Sequence, residues 1–153
     1  MEKWHGREIF TSRELRGLGS KPVVIVDTTV WIDYLSGTEN PETDWLDREL
    51  ERRRLGLTDL ILCEVLQGVR DENAFARVRA DLLKFQVFDT GGSEVAVAAA
   101  QNYRELRRRG YTVHKTIDCM IATFCLRARH ELLHRDRDFD CFEQVLGLRV
   151  VHA

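Results

Sequence analysis

Acidic side chains stand directly after short apolar segments at several points of the chain. Asp27 follows the β-branched run at residues 23–26, and Asp136 follows the apolar segment at residues 132–134, with Asp138 two residues later. Short apolar runs of this kind are typical of buried strands in a parallel sheet. Because ligands bind outside the carboxyl ends of parallel strands, these carboxylates are the first candidates for chemistry.

Two further acids lie on predicted helices beside apolar residues. Glu64 belongs to an apolar row of one helix, and Asp118 lies in the first turn of another. A carboxylate in such a position is costly unless it has a partner. Each acid taken alone could equally be a helix cap, half of an ion pair or a solvated turn residue. A structural role fits three other acids better: Asp33, Asp89 and Asp140.

Taken together, the carboxylates predict a site for a divalent metal ion. Several carboxylates at one edge of a sheet repel each other and raise each other's pKa. Mg²⁺ and Mn²⁺ are hard cations that prefer oxygen ligands, and either ion would remove this repulsion. The candidate ligands are Asp27, Glu64, Asp118, Asp136 and Asp138.

Short strands that alternate with helices must position these acids. We predict strands at residues 23–26, 85–88, 131–134 and 148–151, and we leave a short apolar piece at 55–57 unassigned. Helices are predicted after Asp27, from near Pro41, and at about residues 59–69, 72–84, 93–109, 116–129 and 139–146. This alternation predicts an α/β domain with a parallel sheet and right-handed crossovers.

Length and composition set further limits. The 153 residues suit one domain, which we place at residues 22–153, preceded by an N-terminal extension at residues 1–21. No apolar run approaches the roughly 20 residues of a membrane span. The four cysteines have no CxxC spacing, so we expect reduced and mostly buried thiols in a cytoplasmic protein. A glycine-rich P-loop motif is absent, which argues against a P-loop nucleotidase.

The charge balance excludes a generic polyanion binder. The chain has 23 basic and 25 acidic residues, a net charge of −2, whereas a nonspecific nucleic-acid binder is usually strongly basic. Arginine nevertheless outnumbers lysine, and arginine is suited to bidentate contacts with phosphate. Segregated charges, with carboxylates at one edge and arginines around them, would reconcile the two observations.

Four segments, in this order, resemble the motifs of PIN-domain ribonucleases, and of VapC-type toxins in particular. They are VDTTVWIDYL at residues 26–35, LCEVLQG at 62–68, TIDCMIA at 116–122 and LLHRDRDF at 132–139. The fourth motif usually has threonine where this chain has His134. The resemblance implies a three-layer sandwich whose central parallel sheet has about four to five short strands flanked by helices.

The resemblance also implies RNA cleavage that depends on Mg²⁺ or Mn²⁺. Asp27, Glu64, Asp118 and Asp136 match the catalytic acidic quartet, and Asp138 matches an additional acid near a second metal ion. Asp27 and Asp118 would be the main ligands, with ligation shared by Asp136 and Asp138. Glu64 would bind a second ion or orient the attacking water. Such ions polarise a phosphoryl oxygen and lower the pKa of bound water.

RNA would contact side chains around the acids. Thr28 or Thr29 matches a hydroxyl position near the metal. The predicted RNA-binding residues are Arg135, Arg137 and Thr28. The basic runs at 52–54 and 107–109 are further candidates, although each could be a solvated helix end. Trp31 and Tyr34 could stack on bases, but their helical spacing better fits a core or a dimer interface.

Partners follow from the same resemblance. A VapC-type toxin is expected to bind RNA as its substrate, to pair with a small cognate antitoxin protein and to form a homodimer. The alternative is a catalytically inactive PIN-like module that binds RNA or a partner without cleavage. The intact acidic set disfavours that alternative.

Overall fold

The structure, a computed structural model, describes residues 22–153, and the predicted N-terminal extension at residues 1–21 lies outside them. Strands and helices alternate throughout the described part of the chain. In order they are β1 (Val24–Val26), α1 (Thr28–Ser36), α2 (Pro41–Glu49), β2 (Leu55–Thr58), α3 (Asp59–Gln67), α4 (Glu72–Leu82), β3 (Gln86–Phe88), α5 (Ser93–Arg108), α6 (Thr116–Ala128), β4 (Glu131–Leu133), a 3₁₀ turn (Arg137–Phe139), α7 (Asp140–Leu146) and β5 (Arg149–Val150).

The five strands form one parallel sheet in the order β3-β2-β1-β4-β5. The chain moves one way from β1 to β3 and then crosses to the other side of β1 to reach β4 and β5. Right-handed crossovers that run in opposite directions lie on opposite faces of a sheet. Helices α1–α4 therefore cover one face and α5–α7 the other, which agrees with the contacts of α1 with α2 and α3 and of α5 with α6 and α7. The predicted three-layer α/β sandwich is confirmed.

The hydrophobic core fills the space between the sheet and both helix layers. All three residues of β1 are completely buried, as a central parallel strand requires. Trp31 of α1 is also completely buried and packs against Phe85 with ring centroids 5.1 Å apart. Trp31 therefore belongs to the core, one of the two roles its spacing predicts, and it is not a base-stacking residue on the surface.

Helix α1 begins and ends as its sequence indicates. The carboxylate of Asp27 accepts a hydrogen bond from the backbone N–H of Thr29, so Asp27 is the N-cap. Gly37 ends the helix at φ 75°, a left-handed conformation that glycine adopts at low cost. The chain thus turns from β1 into α1 directly at Asp27.

One detail differs from the sequence-based expectations. The unassigned residues at 55–57 belong to β2, a strand that is buried on both faces and therefore shows no alternation of polar and apolar residues. Helix α5 has Gly92 as its N-cap, and no side chain caps it. The cysteines agree with expectation, since all four are free and three are buried, while Cys63 is exposed. No helix among residues 22–153 is both long and apolar enough to cross a membrane.

Candidate metal centre

The acidic site lies at the carboxyl ends of β1 and β4, which are neighbours in the sheet. The backbone N–H of Asp27 donates a 2.9 Å hydrogen bond to the carbonyl oxygen of Leu133, so the ladder continues one residue beyond the strands. Asp136 follows β4 by three residues. Because the strand order reverses at β1, its carboxyl end faces a crevice, which is the usual position of a ligand site in a parallel sheet.

Asp27 is buried at the bottom of this crevice, with 2% of its surface exposed. Its Oδ2 accepts a 2.7 Å hydrogen bond from the Thr29 hydroxyl and a 3.2 Å bond from the Thr29 backbone N–H. Burial raises the pKa of Asp27 to about 6, and the nearby charge of Glu64 adds to this effect, while the Thr29 hydrogen bonds oppose it. The Asp27 carboxyl group therefore holds its proton to a higher pH than an exposed aspartate does, and a cation bound there would displace that proton.

Asp118 lies in the first turn of α6 and is 4% exposed. Burial raises the pKa of Asp118 to about 7, and the charges of Asp27, Asp136 and Glu64 contribute in the same direction. Its Oδ2 is buried, and no residue of the described chain donates a hydrogen bond to it. A buried oxygen without a donor is costly, so this atom calls for a cation or another donor at the site.

Three carboxylates form a group with the spacing of metal ligands. One oxygen from each of Asp118, Asp136 and Asp138 lies within 4.8 Å of the others. The Asp138 N–H donates a 3.0 Å bond to Asp136 Oδ1, and His114 contacts Asp138 through its backbone N–H at 3.1 Å and its Nδ1 at 3.0 Å. The group is therefore held in place by local hydrogen bonds, as expected of ligands fixed by a second layer of contacts.

Asp136 differs from the two buried aspartates in its acidity. Burial alone would raise the pKa of Asp136, but the Asp138 N–H and the Lys115 ammonium outweigh it and hold the pKa below its ordinary value. The site thus combines a carboxyl group whose pKa is lowered, Asp136, with two whose pKa is raised by burial, Asp27 and Asp118.

Glu64 joins the site from α3. Its carboxylate accepts a 2.7 Å hydrogen bond from the Thr28 hydroxyl. Its charge raises the pKa of both Asp27 and Asp118, which places it within electrostatic reach of both. The structure thus brings together all five acids that the sequence singled out.

Thr28 and Thr29 make different contacts. The sequence alone did not decide which of the two lies near the metal site. Thr28 contacts Glu64, whereas the Thr29 hydroxyl donates to Asp27 and accepts a 3.2 Å bond from the Arg135 backbone N–H. Thr29 therefore joins the ends of β1 and β4, and Thr28 joins α1 to α3. Both side chains fix the orientation of carboxylates.

Lys115 is a site residue that the sequence analysis missed. Its Nζ lies 3.0 Å from Asp136 Oδ2 and 3.8 Å from Asp118 Oδ2. The hydrogen bond to Asp136 and the charge of Asp118 raise the pKa of Lys115 above its ordinary value. The signal in the sequence is its position three residues before Asp118 at the start of a helix, since residues at this spacing share a helix face.

The basic candidates do not all lie near the acids. The guanidinium of Arg135 is bound to Asp33, and its Nε lies 3.3 Å from Glu42. Arg137 is exposed and has no partner among residues 22–153. Arg53 pairs with Glu131, the first residue of β4, and Arg54 precedes β2. The run at 52–54 therefore lies at the amino ends of the strands, opposite the site.

A cleft of about 280 Å³ adjoins the acidic group on the side of α7. Asp136, Arg137 and His134 line part of it. The His134 ring packs against Phe139 with centroids 4.9 Å apart, and burial lowers the pKa of His134. His134, which replaces the expected threonine, therefore packs against Phe139 and lines the cleft beside the acids.

Comparison with known proteins supports the family and the fold. The chain is similar to ribonuclease VapC11 of Mycobacterium tuberculosis, with 29% identity over 129 residues that cover 83% of this chain and 96% of that protein. Its fold is similar to a chain of VapBC2 from Rickettsia felis, crystallised with a promoter DNA fragment, at 13% identity and a TM-score of 0.68 over 84% of this chain and 97% of that one. It is also similar to a chain of DNA-bound VapBC from Salmonella typhimurium, at 21% identity and a TM-score of 0.64 over 86% and 98% of the two chains.

The family assignment rests on most of the described domain. Residues 24–144 match the family model described as the PIN domain. This segment runs from the first residue of β1 into α7 and contains every acid of the site. The chain belongs to the PIN domain family.

Proposed function

We propose that this protein is a divalent-metal-dependent endoribonuclease that hydrolyses phosphodiester bonds of RNA and acts as the toxin of a toxin–antitoxin pair. The observation that carries the proposal is the convergence of five acids from β1, α3, α6 and the loop after β4 in a chain of the PIN family. Three of them already have the spacing of metal ligands. Carboxylates this close together repel one another, and a bound divalent cation would remove that repulsion.

The residues present fit a Mg²⁺ or Mn²⁺ ion. Asp118, Asp136 and Asp138 would hold it with Asp27, and the buried Oδ2 of Asp118 supplies an acceptor without a protein donor. An ion bound there would act as a Lewis acid at a phosphoryl oxygen and lower the pKa of the attacking water. Oxygen-only ligands favour Mg²⁺ or Mn²⁺ over softer metals.

The other groups of the chain orient the substrate and its nucleophile. Glu64, held by the Thr28 hydroxyl, would orient the attacking water or bind a second ion. Arg137 is exposed beside Asp136 and is free to bind an RNA phosphate. Arg135 is occupied by Asp33 and Glu42, so it would contribute to the site chiefly through its backbone.

The relatives support the assignment to a toxin with a protein partner. The similar protein from Mycobacterium tuberculosis is named a ribonuclease, and a structurally similar chain comes from a toxin–antitoxin complex of Klebsiella pneumoniae. We therefore propose a cognate antitoxin and a homodimer for this chain. We also propose that residues 22–153 are the nuclease domain and that residues 1–21 are an extension to it.

The test is cleavage of RNA by the purified protein with Mg²⁺ or Mn²⁺ and with chelator. We expect cleavage only with metal, and a loss of at least about 100-fold in Asp27→Asn and Asp118→Asn, because removal of a group that acts in the transition state has effects of this order. Asp89→Asn is the matched control, since Asp89 also follows a strand but is exposed. Equal cleavage by Asp118→Asn and the parent protein would contradict the proposal.

The same experiment separates the inactive alternative. An RNA- or partner-binding module would retain RNA binding in a gel-shift assay but would show no cleavage with either metal. Metal-dependent cleavage that disappears with chelator would exclude that alternative.

A further inference from the structure

Lys115 places a positive charge between two of the proposed metal ligands. It is the N-cap of α6, and Asp118 lies three residues later in the first turn of the same helix. Its Nζ is 3.0 Å from Asp136 and 3.8 Å from Asp118. The side chain is 57% exposed, so the ammonium approaches the carboxylates from the solvent side.

The ammonium balances the charge of the site only partly. It donates a hydrogen bond to Asp136, but the distance of 3.8 Å to Asp118 is too long for one, and Asp118 Oδ2 has no donor among residues 22–153. Lys115 therefore lowers the repulsion between the carboxylates without filling the coordination positions they offer.

A divalent ion and the Lys115 ammonium cannot both occupy the space beside the carboxylates of Asp118 and Asp136. Asp118 and Asp136 belong to the group whose oxygens lie within 4.8 Å of one another, so an ion bound there would lie close to the ammonium position. The repulsion between the two cations would be strong at such a separation. The long flexible stem of lysine lets the ammonium return to solvent.

We propose that Lys115 is a resident counter-cation of the metal centre, which keeps Asp118 and Asp136 together before metal binds and gives way when the ion arrives. This inference rests on the proposed function, because it requires that the acidic group binds a divalent ion. Beyond the proposed function, the inference states that competition with Lys115 partly sets the affinity of the site for metal.

The test compares Mn²⁺ binding to the full chain and to Lys115→Met by isothermal titration calorimetry. Methionine keeps the unbranched shape and most of the length of the side chain and removes its charge. We expect Lys115→Met to bind Mn²⁺ at least about fivefold more tightly, since the ion no longer has to replace a charge-assisted hydrogen bond. Lys84→Met is the matched control, because Lys84 forms the same kind of i,i+3 pair with Asp81 on α4. It should leave the affinity unchanged.

A second measurement separates this role from a structural one. With chelator, Lys115→Met should melt below the parent protein, because Asp118 and Asp136 then repel each other without a counter-cation. With saturating Mn²⁺ the difference should vanish or reverse. A lysine with a purely structural role would lower the melting temperature equally in both conditions.

The outcomes distinguish this inference from the proposed function. If both proteins bind Mn²⁺ with equal affinity, or if Lys115→Met binds it more weakly, Lys115 is not a counter-cation, although the metal centre stands. If neither protein binds Mn²⁺, the proposed metal centre is wrong and the inference falls with it.

Discussion

The Thr28 hydroxyl donates a 2.7 Å hydrogen bond to Glu64, and this bond joins the first turn of α1 to α3 beside the acidic group. The two residues are 36 positions apart in the chain. Glu64 is thereby fixed where its charge acts on both Asp27 and Asp118. Through this bond, Thr28 positions the carboxylate of Glu64.

Loss of this hydroxyl should impair cleavage while the fold remains intact. We expect Thr28→Val to lower kcat/KM for RNA by about tenfold, because contacts that orient metal-site carboxylates have effects of 10- to 100-fold. Thr28→Ser keeps the hydroxyl and should restore most of the activity. Steady-state kinetics of the three proteins checks this expectation, and equal activity in Thr28→Val would show that the bond positions nothing of importance.

Metal binding should release protons near neutral pH. The pKa values of Asp27 and Asp118 are raised to about 6 and about 7, so a divalent ion must displace protons that these groups still hold at pH 6. Affinity for Mn²⁺ should therefore rise steeply from pH 5 to pH 8. Calorimetry at pH 6 in two buffers of different ionisation enthalpy measures the released protons, and a result of zero would contradict the raised pKa values.

Thr29 offers a variant that shifts this pH dependence. Its hydroxyl and its N–H lower the pKa of Asp27, and Thr29→Val removes the hydroxyl contribution alone. The pKa of Asp27 should rise further, and the midpoint of Mn²⁺ binding should move to higher pH, with Thr29→Ser close to the parent protein. An unchanged midpoint would mean that Asp27 does not ligate the ion.

Asp118→Asn should stabilise the metal-free protein at alkaline pH. The pKa of Asp118 is about 7 in the folded state against an ordinary value of 3.8, so the folded state retains a proton that the unfolded state has lost. Stability therefore falls as the pH rises from about 4 to about 7, and the penalty is complete above that range. Because a tenfold change in proton affinity is about 1.4 kcal/mol, the rise of the pKa from 3.8 to about 7 corresponds to a gain of up to roughly 4 kcal/mol at pH 8.

Urea denaturation with chelator at pH 8 and at pH 4 measures this gain. At pH 4 the two proteins should be nearly equally stable, since Asp118 is protonated in the folded state. A variant that is less stable than the parent protein at pH 8 would show that the Asp118 carboxylate stabilises the fold by itself.

The position of the main acids could be predicted because strand ends are visible in the sequence. Asp27 and Asp136 each follow a short apolar run, and parallel strands bring such positions to one edge. Strand β2 was not predicted because it has four residues, includes Gly56 and is buried on both faces. Neither its length nor its pattern separates it from a buried piece of helix.

The partners of side chains could not be predicted, because they depend on which helices pack together. The choice between Thr28 and Thr29 was open until the positions of α3 and of the loop after β4 were known. Lys115 looks like any exposed lysine before a helix, and only the fold brings Asp136 to it. Arg135 and Arg137 look alike in the sequence, yet Asp33 and Glu42 occupy only the first.

The two arginines should therefore differ in their effect on RNA binding. In the Asp118→Asn background, which prevents cleavage, Arg137→Ala should weaken binding of a short single-stranded RNA and reduce the slope of log K against log salt by about 0.7, the loss of one phosphate contact. Arg135→Ala should leave that slope unchanged and lower stability by up to about 1 kcal/mol, because Asp33 and Glu42 lose their partner. Fluorescence anisotropy at several salt concentrations measures the slopes, and equal slopes would contradict the assignment of Arg137.

Gly56 tests the close packing of β2 against its neighbours. A Cβ at this position would lie 2.9 Å from the carbonyl oxygen of Gln86 in β3 and 3.1 Å from a methyl group of Val23. Backbone cannot move aside cheaply in the middle of a sheet, so Gly56→Ala should lower the free energy of unfolding by about 2 kcal/mol. Gly91→Ala is the control, since nothing lies within 4 Å of its Cβ position. Thermal unfolding of both variants decides the matter: equal melting temperatures would mean that β2 is not held against β3 as tightly as the sheet requires.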